Sequence, residues 1–136
     1  MWSHYADEHQ GVCLVYAYQK TNTAAAFLHP VKYDNQLDLQ EFHDFYLMKS
    51  EQWWYENEYR LVHMMKKDDA KLKEPCLLHY KDIGLTLKAI YFGTECSDTR
   101  IEMVKDFIKQ IGLEGKIDLY QMKNDGLRFN LECKKI

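Results

Sequence analysis

Between Ser50 and Arg60 the chain reads Ser-Glu-Gln-Trp-Trp-Tyr-Glu-Asn-Glu-Tyr-Arg, which concentrates two tryptophans, three carboxylates and an arginine in one short stretch. If residues 55–64 are extended, the alternation of side chains puts Glu56, Glu58 and Arg60 on one face and Tyr55, Asn57 and Tyr59 on the other. Same-face neighbours on a strand lie ~7 Å apart, and at an effective dielectric near 20 two carboxylates at that distance repel by roughly 2 kcal/mol. One of the pair then has a raised pKa unless Arg60 or a ligand neutralises it. Two acids and a base in a row are costly to bury and useful to a ligand. The same residues also suit a solvated strand face with local ion pairing, worth ~0–1 kcal/mol. Trp53 and Trp54 read as core and rim anchors ahead of a base-stacking platform, because large aromatics are core residues first.

Several elements must position this stretch. Upstream, Asp38 followed by Glu41 resembles a capping box, and Leu39, Phe42, His43 and Tyr46 repeat at helical spacing to about Lys49. At the start of the chain Trp2, Tyr5, Ala6 and His9 form a helical stripe that Gly11 would end, with His4 off the stripe. Residues 11–18 are apolar on both faces, as in a mid-sheet strand. Residues 27–33 predict a second strand, which Pro30 confines to an edge or a bulge. Residues 66–75 are a charged loop ending in Pro75, residues 76–80 a short strand and residues 85–92 a buried strand closed by Gly93. Ile101, Val104, Phe107, Ile108 and Ile111 mark a helix capped by Thr99 and Glu102 and ended by Gly112. Residues 116–123 and 127–133 read as a closing hairpin around Asn124-Asp125-Gly126. The sum is one α+β domain, a mixed, mostly antiparallel sheet of about six or seven strands with about three helices.

Composition sets the outer bounds. A chain of 136 residues with 14% aromatic side chains, ten of them tyrosines, has enough apolar surface for one packed core. The net charge of −3, with both signs interspersed, supplies no field to recruit nucleic acid or an anionic membrane. Cys13, Cys76, Cys96 and Cys133 have no metal-ligand spacing, and the histidines are scattered singly, so no metal site is expected. The cysteines read as reduced and mostly buried. No apolar run approaches the ~20 residues needed to cross a bilayer, and the first residues lack a signal-peptide layout, so a cytoplasmic protein is expected.

Four blocks carry a resemblance: Trp2-Ser3-His4-Tyr5-Ala6, Gly11-Val12-Cys13-Leu14, Trp54-Tyr55-Glu56-Asn57-Glu58-Tyr59-Arg60 and Lys88-Ala89-Ile90-Tyr91-Phe92-Gly93. In order and spacing they resemble a bacterial family known only as domain of unknown function 2971. The resemblance implies that the chain corresponds to the C-terminal half of the family's usual architecture, in which the first block follows a sizeable N-terminal region. The Glu-x-Glu, read on a strand edge beside aromatics, is also similar to the signature of the ADP-ribosyltransferase fold. That likeness implies Glu58 as the catalytic carboxylate, which holds ribose hydroxyls and stabilises an oxocarbenium-like state. It makes Glu56 the companion that activates the acceptor, and Trp54 or Tyr55 a stacking surface for a flat ring. NAD is the cofactor such a site would take, with Arg60 and the Trp2, His4 and Tyr5 block as further ligand-binding candidates.

Two functions from different classes follow. One is a transferase or hydrolase acting on a nucleotide-like small molecule. The other is a noncatalytic module that associates with itself, or with another protein, through uncovered sheet edges.

Overall fold

Leu85–Phe92, the long apolar strand predicted from the sequence, organises the first of two compact units in a computed structural model that describes residues 2–19, 26–36, 44–63, 79–124 and 131–136. Unit 1 comprises Met1–Tyr18 and Leu85–Ile136, and unit 2 comprises Gln19–Gly84. In chain order the elements are α1 (Trp2–Tyr5), β1 (Val12–Tyr18), β2 (Ala26–Pro30), β3 (Lys32–Tyr33), α2 (Asp44–Leu47), β4 (Met48–Lys49), a 3-10 helix (Glu51–Glu56) and β5 (Tyr59–His63). They continue with β6 (Leu85–Phe92), α3 (Asp98–Gln110), β7 (Asp118–Asn124) and β8 (Leu131–Lys135). The chain is α+β and mostly antiparallel, with the described strands divided among a four-stranded sheet and two two-stranded ones rather than gathered in one.

In unit 1 the sheet runs β1-β6-β7-β8. β6 and β7 are parallel and joined through α3, while β1–β6 and β7–β8 are antiparallel. The helix covers one face. Ile90 and Phe92 of β6 pack with Cys96 and with Ile101 and Ile108 of α3, and Val104 and Leu119 lie against them. Phe92 is fully buried, and burying a phenylalanine contributes roughly 1.5–3 kcal/mol. The helix is capped by Ser97, whose side chain accepts from the Arg100 N–H, two residues before the expected Thr99. With that start, Ile101, Val104 and Ile108 face the sheet, while Phe107 and Ile111 are exposed.

Three expectations are corrected in this unit. The first helix stops at Tyr5, because Asp7, Glu8 and His9 all take positive φ and wind the chain out of the right-handed region. β1 lies at an outer position of its sheet among the described residues, not in the middle. Its residues Val12, Leu14 and Val15 are exposed. Of the described cysteines only Cys96 is buried, whereas Cys13 and Cys133 are exposed; Cys76 lies outside the described residues. The closing hairpin is present as the β7–β8 pair, and its Asp125-Gly126 turn lies outside the described residues.

In unit 2, β2 pairs antiparallel with β5 and β3 pairs parallel with β4. Pro30 ends β2, so the donor it lacks is missing from the last rung only. Buried Val31 turns the chain between β2 and β3, and its N–H donates to the Glu58 carbonyl at 2.9 Å. The helix predicted to reach Lys49 ends at Leu47, since Met48 and Lys49 join β3 instead. Its expected first half, the charged 66–75 loop and most of the 76–80 strand lie outside the described residues. No helix among the described residues is long and apolar enough to cross a membrane.

Candidate functional site: a carboxylate–cation cluster

The Ser50–Arg60 stretch is not the continuous strand its alternation predicts. Glu51–Glu56 is a 3-10 helix, and the strand begins only at Tyr59. Locally, the Trp53 N–H donates to the Ser50 carbonyl at 3.0 Å and the Asn57 N–H to the Trp54 carbonyl at 3.2 Å. Asn57 then takes φ 46° and ψ 48°, a left-handed conformation that asparagine adopts more readily than most residues, and ends the helix. The Asn35 side chain holds the other end, accepting from the Glu51 N–H and from Ser50 Oγ.

This geometry brings the charges together by a different route. At three residues per turn, positions three apart share one edge of a 3-10 helix, so Trp53 and Glu56 lie on the same side. Both meet Lys49, whose Nζ bonds Glu56 Oε2 and stands 5.1 Å from the Trp53 ring centroid. Past the Asn57 turn the chain returns to the same lysine, placing Glu58 Oε2 3.1 Å from Lys49 Nζ. Arg60 closes the group, donating from Nε to Glu58 Oε1 at 2.6 Å and from Nη2 to Glu58 Oε2 at 3.2 Å, with Nη1 on the Tyr46 carbonyl at 2.6 Å. The Glu58 backbone N–H donates to the Tyr33 hydroxyl at 2.6 Å. Two carboxylates thus balance two cations.

The electrostatics follow the contacts. The Arg60 guanidinium holds the Glu58 carboxyl below the usual carboxylate range, burial works against it, and Lys49 adds to the lowering. Glu58 in turn raises Arg60. Arg60 thus supplies the neutralisation that the sequence reading named as the condition for no raised pKa, and Glu58 is held as an anion. The side chain of Glu58 is 28% exposed and that of Glu56 only 6%, so Glu58 is the carboxylate a ligand can reach. On the outer side of the helix Trp54 is 68% exposed and Tyr55 52%, with Tyr59 exposed beside them in sequence. Large exposed rings in the same short stretch as a fixed anion suit a ligand with a flat group and hydroxyls.

The linkage sign gives a test. Because the folded pKa of Glu58 lies below its ordinary value of 4.5, its stabilising effect is complete above that pH and disappears as pH falls through the lower folded value. Glu58→Gln is expected to cost about 1–2 kcal/mol at neutral pH, a modest figure because the pair is partly solvated. The difference should vanish in strong acid. Urea unfolding of both proteins at neutral and acidic pH measures this, and a difference that persists unchanged at low pH would contradict the charge assignment.

The sequence-predicted residues divide between the units. Glu56, Glu58, Arg60, Trp54 and Tyr55 belong to unit 2, whereas Trp2, His4 and Tyr5 belong to unit 1. There the Trp2 ring stacks on His9 at 6.3 Å, and His4 meets Tyr5 edge-on at 6.5 Å. Sequence reasoning missed Lys49, Tyr33 and the Tyr46 carbonyl. Lys49 carries no signal of its own, since it reaches the acids only through the β3–β4 pairing and the Asn57 turn. Among the described residues no group of three or more His, Cys, Asp or Glu side chains could hold a metal ion.

Fold and site together define an α+β chain with a charge-balanced carboxylate cluster in a stretch that also exposes aromatic rings. The family described as "Protein of unknown function (DUF2971)" matches residues 1–61 and so takes in the first three of the four resembling blocks, including Trp54 to Arg60. The chain resembles that family over this stretch, while the Lys88 to Gly93 block lies beyond the match. Searches of curated proteins and of solved structures found no match.

Proposed function

We propose that unit 2 binds a nucleotide-like small molecule, NAD or a relative, and that Glu58 is the carboxylate that engages it in a transferase- or hydrolase-like site. The observation that carries this reading is the Glu58 carboxylate, kept ionised by Arg60 and Lys49 while still reachable, in the same short stretch of chain as the exposed Trp54 and Tyr55 rings. An anion so held can accept hydrogen bonds from ribose hydroxyls and stabilise positive charge developing at a sugar carbon. Trp54 or Tyr55 supplies a face for a flat ring. Glu56, largely covered and bonded to Lys49, orients the lysine rather than meeting an acceptor. The ADP-ribosyltransferase likeness, which calls for the Glu-x-Glu on a strand edge, lends no support, since Glu56 ends a 3-10 helix and the strand begins only at Tyr59.

A thermal-shift titration with NAD and other nucleotides tests the proposal. A ligand at a hundred times its dissociation constant stabilises the folded state by about 2.7 kcal/mol, so the shift should be plain and should saturate. Trp54→Ala should remove most of that shift while leaving the unliganded melting temperature nearly unchanged, because the ring is exposed. Glu58→Gln should abolish the shift with its fold intact by circular dichroism. No response to any nucleotide would end this reading.

A second reading, a noncatalytic module that associates with itself, is favoured by one observation: β8 is an outer strand among the described residues and is exposed along its whole length.

A further inference from the structure

We propose that β8 is the self-association edge, and that two copies pair their β8 strands antiparallel about a two-fold axis through Cys133, joining two four-stranded sheets into one. The proposal deepens the self-association reading above and rests on it.

The first argument is the parity of the backbone. The Ile136 N–H donates to the Leu119 carbonyl at 3.0 Å, and the register pairs Gln121 with Lys134 and Lys123 with Glu132. In an antiparallel ladder alternate residues bond to the same neighbour, so Glu132, Lys134 and Ile136 turn their N–H and C=O groups to β7. Leu131, Cys133 and Lys135 turn theirs to the open edge. A two-fold axis at Cys133 places outward groups opposite outward groups at every rung: Leu131 against Lys135 of the second copy, Cys133 against Cys133, and Lys135 against Leu131.

The second argument is charge. In that register Glu132 faces Lys134 of the other copy, twice by symmetry, at the closely spaced positions where side chains interact most strongly. Charged residues on an outer strand discourage pairing with an arbitrary strand. Here they discourage other partners and other registers while matching a second copy in this one. The opposite edge offers neither feature. β1 has a register shift between Val15 and Tyr16, which interrupts a ladder, and none of its residues is charged.

The third argument is continuity. Leu131 and Cys133 line a depression of about 310 Å³ together with Tyr91 and Met122, on the sheet face that carries the Tyr91–Tyr120 stack. Pairing at β8 would extend that apolar face across the axis into its counterpart.

Size-exclusion chromatography with light scattering on the full chain tests this, with circular dichroism as a check on folding. The unmodified protein should be a dimer. Glu132→Lys and Lys134→Glu, each placing like charges opposite one another twice, should weaken the dimer by roughly tenfold or more, and the double reversal should restore it. A monomer at every concentration would overturn both the proposal and the self-association reading. A dimer that the single reversals leave unchanged, or that the double reversal fails to restore, would overturn the β8 register while self-association stands. Should a variant fail to fold, a short thiol-directed crosslinker on the unmodified protein decides. Peptide mapping should recover Cys133 joined to Cys133, and recovery of other pairs alone, or of none, would overturn the proposal.

Discussion

Gly93→Ala is expected to unfold unit 1 or to cost it about 3 kcal/mol or more, an effect at the upper end of what overpacking produces. A Cβ built at Gly93 would stand 1.9 Å from the His9 carbonyl oxygen and 2.5 Å from its carbon, both backbone atoms. Neither can swing aside as a side chain tip could. The loop leading to β1 is tied at the same place: the Gly93 N–H donates to the Gly11 carbonyl at 3.0 Å, the Glu95 N–H to the His9 carbonyl at 3.1 Å, and the Gly11 N–H to the Ala6 carbonyl at 2.7 Å. A methyl group at Gly93 therefore forces the N-terminal segment off the end of β6. Urea unfolding followed by circular dichroism measures the loss. Gly112→Ala is the control, since a Cβ there meets nothing within 4 Å and only the positive φ of 70° is strained, at about 1–2 kcal/mol. Equal effects at the two glycines would contradict the close approach.

Lys49→Met should destabilise the chain by about 2–3 kcal/mol, because it keeps the apolar stem and removes the ammonium that serves both Glu56 and Glu58. The Glu56 carboxylate is the reason for the size of the effect. Its side chain is 6% exposed, so water cannot replace the lost partner as it does for surface pairs. Loss of the contact with the Trp53 ring adds a smaller increment. Lys49→Arg should recover a good part of the stability by restoring the charge. A Met variant within about 0.5 kcal/mol of the parent would mean that the acids form a solvated surface after all.

The legible parts of this chain are those decided by local pattern. The apolar alternation of residues 85–92 and the Ile101, Val104 and Ile108 spacing are satisfied by β6 and α3, because one face of each meets a single dominant core. The β7–β8 pairing followed from two strand-like runs close in sequence. What escaped depends on backbone conformations that residue type only weakly signals. Positive φ at Asp7, Glu8 and His9 cuts the first helix short, with no glycine until Gly11 to announce it. The left-handed Asn57 converts an expected strand into a helix, a turn and a strand. The site was half visible for the same reason. Glu56, Glu58 and Arg60 do converge, though through that turn and not through strand alternation, and Lys49 enters by a pairing between segments that no short-range rule foresees. β1 was misplaced because apolar residues on both faces suit a central strand, yet here one such strand stands at an outer position.

The most direct test of the ligand site is a titration of ¹⁵N-labelled protein with NAD, following the indole N–H resonances and assigning that of Trp54 through Trp54→Phe. The resonance of Trp54, in the stretch that carries the Glu58 cluster, should move saturably, while that of Trp2 in unit 1 stays in place. A Trp54 resonance that does not move, or that moves no more than Trp2's, would contradict the assignment of the site to unit 2.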